Sequence, residues 1–163
     1  MTEKESFIQL KKDNVFRVGI LDKDGNDTGK CLEFDLEDIE LPTRLCESQE
    51  KHEKNMKYLK DQLFIINKRE DHKGKKLLSK NEEEKIKLYQ KVFKDEMEAL
   101  DLFIGEGKTQ MILDLMGRKP YHTMYNDIEE MIKPLMPKLE ENFNIIKDKI
   151  QKKYSSVETD VLE

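Results

Sequence analysis

Twelve residues near the N-terminus nearly match the calcium-binding loop of an EF-hand. The side chains at loop positions 1, 3, 5, 7 and 12, which supply oxygen ligands, are Asp22, Asp24, Asn26, Thr28 and Glu33. Position 6 must be glycine for the sharp turn, and here it is Asp27. The flanks alternate between apolar and polar residues as strands do, whereas an EF-hand needs helices. We therefore favour an acidic hairpin turn over a calcium site.

A second segment, residues 105–109, reads GEGKT and resembles the end of a phosphate-binding P-loop. The full motif, G-x-x-x-x-G-K-[ST], has another glycine five residues before Gly107, where this chain has Leu102. A P-loop also follows a buried strand, but this segment follows a charged helical pattern. We expect neither segment to bind a ligand, so the protein should need no metal and no cofactor.

The histidines and cysteines form no catalytic or metal-binding pattern. His52, His72 and His122 are far apart in the chain, and none has another typical zinc ligand four residues away. Cys31 and Cys46 lack the C-x-x-C spacing and are expected to be small buried residues. Since no complete catalytic constellation is present, we expect a protein that is not an enzyme.

A basic segment, residues 68–80, has enough lysine to contact phosphate groups. It lacks interleaved aromatic residues on which bases could stack, and the whole chain has a net charge of −5. Residues 1–43 carry 6 basic and 11 acidic groups, residues 44–80 carry 11 and 6, and residues 81–163 carry 13 and 18. This alternation favours contacts within the protein or with protein partners, so a solvated loop is the favoured interpretation of residues 68–80.

The elements that hold these residues are predicted to form a mainly helical α+β fold. Residues 15–21 and 31–36 are short extended runs around a loop rich in Gly, Asn and Asp, which predicts a β-hairpin over residues 13–40. Residues 1–12 are expected to be a flexible lead-in. After residue 43, Leu, Ile and Met replace Val as the main apolar residues, which favours helices.

Apolar spacing predicts two long helices that pair as an antiparallel α-hairpin. The first covers residues 44–67, after a stop at Pro42 and an N-cap at Thr43. The second follows a capping box that begins at Ser79, and it ends at Gly105.

Two or three shorter helices are predicted to follow. One covers residues 108–116 and is closed by Gly117, another runs from about Tyr121 towards Pro134, and a last one covers residues 139–154. Residues 13–154 would then form one domain, followed by a disordered tail over residues 155–163.

Composition limits the class of protein further. The longest uninterrupted apolar run is residues 63–66, far short of the roughly 20 residues that a membrane-spanning helix needs. The N-terminus has no apolar signal-peptide region, and two cysteines cannot form a disulfide framework. We expect a soluble protein of a reducing compartment without a membrane partner.

The most specific pattern lies in the second half of the chain. Residues 99–112 read ALDLFIGEGKTQMI, and Gly117, Pro120, Tyr121, Met124 and Tyr125 follow. Over residues 95–140 this pattern resembles small phage tail assembly chaperones of siphophage or prophage type. In those proteins an LD-x-FLGEG segment precedes an amphipathic helical turn and a helix with Met and Tyr. The resemblance extends loosely to the N-terminal hairpin.

The resemblance implies a non-catalytic protein that coats and solubilises the tape measure protein and helps to recruit tail tube subunits. It would act in the cytoplasm of the bacterial host and be absent from the finished particle. The chain's eight Met residues would give adaptable apolar stripes that suit such binding and also favour weak homo-oligomers.

The residues expected to receive the partner border the glycine break: Leu102, Phe103, Gly105, Glu106, Gly107, Met111, Ile112, Tyr125 and Ile128. For any single residue of this set, packing within the domain is the favoured interpretation. Two other functions stay open. One is a structural adaptor or connector of a phage tail or phage-like particle, and the other, less favoured, is a nucleic-acid-associated regulator that uses residues 68–80.

Overall fold

The computed structural model describes residues 5–10 and 14–162, with the backbone alone for residues 156–162. Of the predicted lead-in, residues 1–12, residues 1–4 and 11–12 therefore lie outside the described residues, as does residue 13 at the start of the predicted hairpin. Residues 5–10 have no regular secondary structure, and their side chains are exposed.

The predicted N-terminal β-hairpin is confirmed. Strand β1, Val15–Leu21, pairs antiparallel with β2, Asp27–Asp35. Leu32 and Phe34 are buried on one face of β2, and Glu33 between them is exposed. The two strands alternate in this way because successive side chains point to opposite faces of a sheet.

The α-hairpin is also confirmed. Helix α1, Leu41–Asn67, lies antiparallel to α2, Lys80–Ile104. Lys51 of α1 pairs with Glu98 of α2, and Arg69, in the loop just after α1, pairs with Glu84 of α2. The predicted cap of α2 is present, since Ser79 Oγ accepts a hydrogen bond of 3.1 Å from the backbone N–H of Glu82.

The predicted start of α1 is wrong. The helix begins at Leu41, so Pro42 lies in its first turn and Thr43 is not the N-cap. Proline suits this position because its fixed φ is already helical, and the first N–H groups of a helix have no intrahelical partner. The side chain of Asp38 instead organises this end by accepting from the backbone N–H of Glu40 and pairing with Arg44.

Three helices follow the α-hairpin: α3, Lys108–Met116; α4, Met124–Ile132; and α5, Met136–Leu162. Gly117 closes α3 in the left-handed conformation, as predicted. Helix α4 begins three residues after the predicted Tyr121. A single 3-10 turn, Lys133–Leu135, joins α4 to α5 and contains Pro134.

Helix α5 is longer at both ends than the prediction of residues 139–154. It starts at Met136 because Pro137 lies in its first turn, where proline costs no hydrogen bond. It also continues through the segment expected to be a disordered tail, as far as Leu162.

Two apolar clusters hold these elements together. The larger joins the hairpin, the start of α1, the end of α2, and α3, α4 and the start of α5. The smaller lies between α1 and α2 near the 68–80 loop and contains Ile66, Leu88 and Val92. The architecture is thus the predicted mainly helical α+β fold, with most of its elements gathered around the C-terminal end of α2.

Candidate functional site

The glycine break between α2 and α3 is a tight, capped turn. Gly105 has φ 114° and ψ 151°, and Gly107 has φ 77°. The carboxylate of Asp101 accepts hydrogen bonds from the backbone N–H groups of Gly107, at 3.0 Å, and Thr109, at 2.9 Å. It also accepts from the Thr109 hydroxyl at 2.6 Å. Asp101 therefore caps α3 from the last turn of α2, which gives the two glycines and the Asp a structural role.

The apolar residues predicted to receive a partner lie mostly inside the domain. Four of them are buried in the larger cluster: Phe103, Ile112, Tyr125 and Ile128. Leu102 and Met111 are half-buried, and Glu106 and Gly107 are exposed at the turn. The glycine break does bring the apolar stripes together, but their residues pack mainly on one another. Packing within the domain was the favoured interpretation for each of these residues taken singly.

An open apolar groove lies next to these buried residues. It consists of two adjoining cavities of about 340 and 230 Å³ that share Leu45, Phe103 and Met136. The groove runs between the first turns of α1 and the junction of α4 and α5, with the end of α2 as its floor. Its other apolar lining residues include Leu36, Leu41, Leu139, Phe143, Leu100 and Ile132.

The margin of this groove is mainly acidic. Asp38 and Glu140 border the first cavity, and Glu129, Glu130 and Lys133 border the second. Asp38 is paired with Arg44, whose hydrogen bond lowers the pKa of this carboxyl below its usual value, and Glu130 lies 3.8 Å from Lys133. The negative charge of the margin therefore rests mainly on Glu129 and Glu140. A groove with an apolar floor and an acidic margin suits an amphipathic helix with large apolar residues on one face and basic residues beside them.

A buried polar network, which was not predicted from the sequence, holds together the helices around the groove. Glu96 of α2 is 3% exposed, pairs with Nδ1 of His52 and accepts a hydrogen bond of 2.7 Å from Asn55. Ser48, also buried, is 3.0 Å from the Tyr125 hydroxyl. Ser48, His52 and Asn55 are spaced i, i+4 and i+7 on α1, and polar residues at that spacing on an apolar stripe are the signal that could have revealed the network.

This network joins three helices and has no arrangement suited to nucleophilic catalysis. The Ser48 hydroxyl is hydrogen-bonded to Tyr125, while His52 is hydrogen-bonded to a carboxylate on another helix. A serine nucleophile would need the imidazole as its base. We interpret the network as a set of satisfied buried polar groups that hold α4 against α1 and α2.

The ligand-like motifs of the sequence have structural roles. Asp22 Oδ1 closes the hairpin turn by accepting from the backbone N–H groups of Asp24 and Asn26, both at 2.9 Å. Lys108 of the GEGKT segment directs its ammonium group to the Cys31 carbonyl at 3.4 Å. Among residues 5–10 and 14–162, no group of three or more His, Cys, Asp or Glu side chains could hold a metal ion.

The cysteines differ from expectation, since Cys31 is half-buried and Cys46 is exposed on α1. Cys46 lies on the outer side of α1, where an amphipathic helix carries its exposed residues. In the part of the chain that the structure describes, no helix is long and apolar enough to cross a lipid bilayer.

Fold and site together define a small, mainly helical domain with an open apolar groove. Comparisons with protein-family models, with curated proteins and with solved structures found no match for this chain.

Proposed function

We propose that this protein is a non-enzymatic binding protein that takes an apolar helical segment of a partner into its groove. The observation that carries this proposal is the groove itself, an apolar surface left open beside a well-packed core. Apolar surface of this kind is costly to expose to water, and a partner that covers it gains about 25 cal/mol per Å² before the ordering costs of association.

The resemblance of residues 95–140 to tail assembly chaperones supplies the identity of the partner. We propose that the bound segment belongs to the tape measure protein, a long helical protein that needs a cover for its apolar stripes before the tail tube forms around it. The groove supports this proposal through its helix-compatible lining and acidic margin. The receiving residues are then Leu45, Met136 and Phe143, together with Phe103 and Tyr125 of the predicted set, which also line the groove, whereas Ile128 lines neither cavity.

Co-expression with the tape measure protein encoded in the same phage or prophage genome tests the proposal. The soluble yield of the tape measure protein should depend on this chain. It should fall several-fold with Met136→Lys or Phe143→Lys, because both half-buried side chains line the groove and a lysine there places a charge in its apolar lining.

Met131→Lys is the matched control. Met131 is on α4, is 56% exposed and does not line either cavity of the groove. It should keep the parental yield, while circular dichroism verifies that all three variants are folded. The proposal fails if the tape measure protein is equally soluble alone, or if folded groove variants protect it as well as the parent does. Presence of the protein in purified tails would instead support the structural adaptor.

A further inference from the structure

The N-terminal segment carries an exposed apolar cluster that the core does not use. Phe7, Ile8 and Leu10 are 87%, 90% and 89% exposed. These three large apolar side chains lie within four residues, so they form an exposed apolar cluster that another surface could cover. The chain therefore has an open apolar groove and a free apolar segment at the same time.

The segment is attached to the fold at the margin of the groove. The backbone N–H of Leu36, which lines the groove, donates a hydrogen bond of 3.0 Å to the carbonyl of Asn14. The side-chain amide of Asn14 donates to Glu37 at 2.9 Å. Asn14 has φ 59°, a left-handed conformation that asparagine tolerates better than most residues, so the chain changes direction here at the start of β1.

The length of the connection allows the segment to reach the groove of its own chain. Leu10 is four residues before Asn14, which gives a span of at most about 14 Å, and Phe7 reaches roughly 25 Å. A tether this short gives an effective local concentration on the order of millimolar. The same chain is therefore favoured as the source of the segment over a second copy at micromolar concentration.

From these relationships we propose that residues 7–10 act as a strap that occupies the groove of their own chain and is displaced when a partner segment binds. The displacement half of this inference rests on the proposed function, whereas the docking of the strap does not. The structure shows the undocked arrangement, with the three side chains exposed and the groove open. Docking covers the apolar groove in the absence of a partner, and the apparent affinity for a partner is then the intrinsic affinity multiplied by the fraction of chains that are undocked.

Tryptophan fluorescence tests the docking directly because the chain contains no Trp. In Phe7→Trp the indole should emit at shorter wavelength than a water-exposed indole, at every protein concentration tested. Adding Met136→Lys or Phe143→Lys to Phe7→Trp should shift the emission back to that of exposed indole. Leu77→Trp places the indole at a position that is 87% exposed in the 68–80 loop and supplies the exposed reference.

Emission of Phe7→Trp equal to that of Leu77→Trp, or emission unaffected by both groove variants, overturns the proposal. A short-wavelength emission that develops only as concentration rises also overturns it, because the occupant is then a second copy. Co-expression separates the two proposals. If the strap does not dock but the groove variants still reduce the soluble yield of the tape measure protein, only the strap proposal is wrong. If the strap docks but this chain has no effect on the yield of the tape measure protein, only the proposed function is wrong.

Discussion

The imidazole ring of His52 lies face to face on the phenol ring of Tyr125, with 3.9 Å between the ring centroids and 6° between the ring planes. Nδ1 of the same imidazole pairs with the buried carboxylate of Glu96. The imidazole of His52, on α1, thus contacts α4 through the face of its ring and α2 through a nitrogen at the edge of its ring. This contact sets the position of α4, and α4 in turn forms one wall of the groove.

Glu96→Ala should lower the free energy of unfolding by about 3 kcal/mol, because it leaves the polar atoms of His52 and Asn55 without their partner in a partly buried site. Glu96→Gln, which keeps a hydrogen-bonding side chain, should lose less. Glu98→Ala is the matched control two residues along α2. Its ion pair with Lys51 is solvent-exposed, so it should change stability by less than about 1 kcal/mol. Urea unfolding measures all three, and equal losses for Glu96→Ala and Glu98→Ala would contradict the role of the network.

Helix boundaries that depend on local chemistry could be predicted from the sequence. Ser79, Gly105 and Gly117 act through hydrogen bonds or φ values set within a few residues, and each lies where it was predicted. Pro42 and Pro137 could not be placed in this way. Proline stops a preceding helix but also suits the first turn of a new one, and which of these occurs depends on what the neighbouring residues pack against.

The candidate site was less predictable than the fold. Periodicity shows that Phe103 and Tyr125 lie on apolar faces, but it does not show what covers those faces, and here the domain covers them itself. The groove depends on Leu45 and Met136, two residues far apart in the chain, lining the same cavities. Such a long-range arrangement leaves no trace in local spacing.

Asp101→Ala should lower the free energy of unfolding by about 1–2 kcal/mol, since it removes the side-chain cap of α3 and three hydrogen bonds with it. Asp114→Ala is the control on α3 itself. The Asp114 side chain is exposed and accepts a hydrogen bond from Gln110, so its loss should cost less than about 0.5 kcal/mol. Denaturant unfolding measures the free energy of unfolding of both variants. Equal, small losses for Asp101→Ala and Asp114→Ala would show that the cap does not stabilise the protein.

Gly105→Ala should destabilise the protein by about 1–3 kcal/mol. Gly105 has a φ, ψ combination that is essentially restricted to glycine, and an added Cβ would lie 3.2 Å from Cγ of Lys108. Gly74→Ala is the matched control in the 68–80 loop, where nothing lies within 4 Å of the added Cβ and φ is not in the left-handed region. It should be neutral or slightly stabilising, because alanine restricts the unfolded chain. The melting temperatures of the two variants should move apart, and a parental value for Gly105→Ala would refute the strained turn.

The stability of the protein should decrease at alkaline pH through Tyr125. Burial raises the pKa of this phenol above its usual value near 10, an effect that the nearby carboxylates of Glu129, Glu96 and Glu53 reinforce and the Ser48 hydrogen bond opposes. The folded state therefore favours the protonated phenol. This contribution to stability is fully present below the unfolded pKa near 10 and is lost as pH rises through the higher folded pKa.

Tyr125→Phe and Ser48→Ala separate the titration from the hydrogen bond. Both variants lose the contact between the Ser48 and Tyr125 hydroxyls and should be about 1 kcal/mol less stable than the parent at pH 8. Above pH 10, Ser48→Ala should lose stability at least as steeply as the parent, because it retains the buried phenol without the one hydrogen bond that lowers its pKa. Tyr125→Phe should lose stability less steeply, and its remaining decline includes Tyr121, whose pKa burial also raises. Urea unfolding between pH 8 and pH 11 measures the slopes, and a Tyr125→Phe slope equal to that of the parent would show that ionisation of this phenol does not limit alkaline stability.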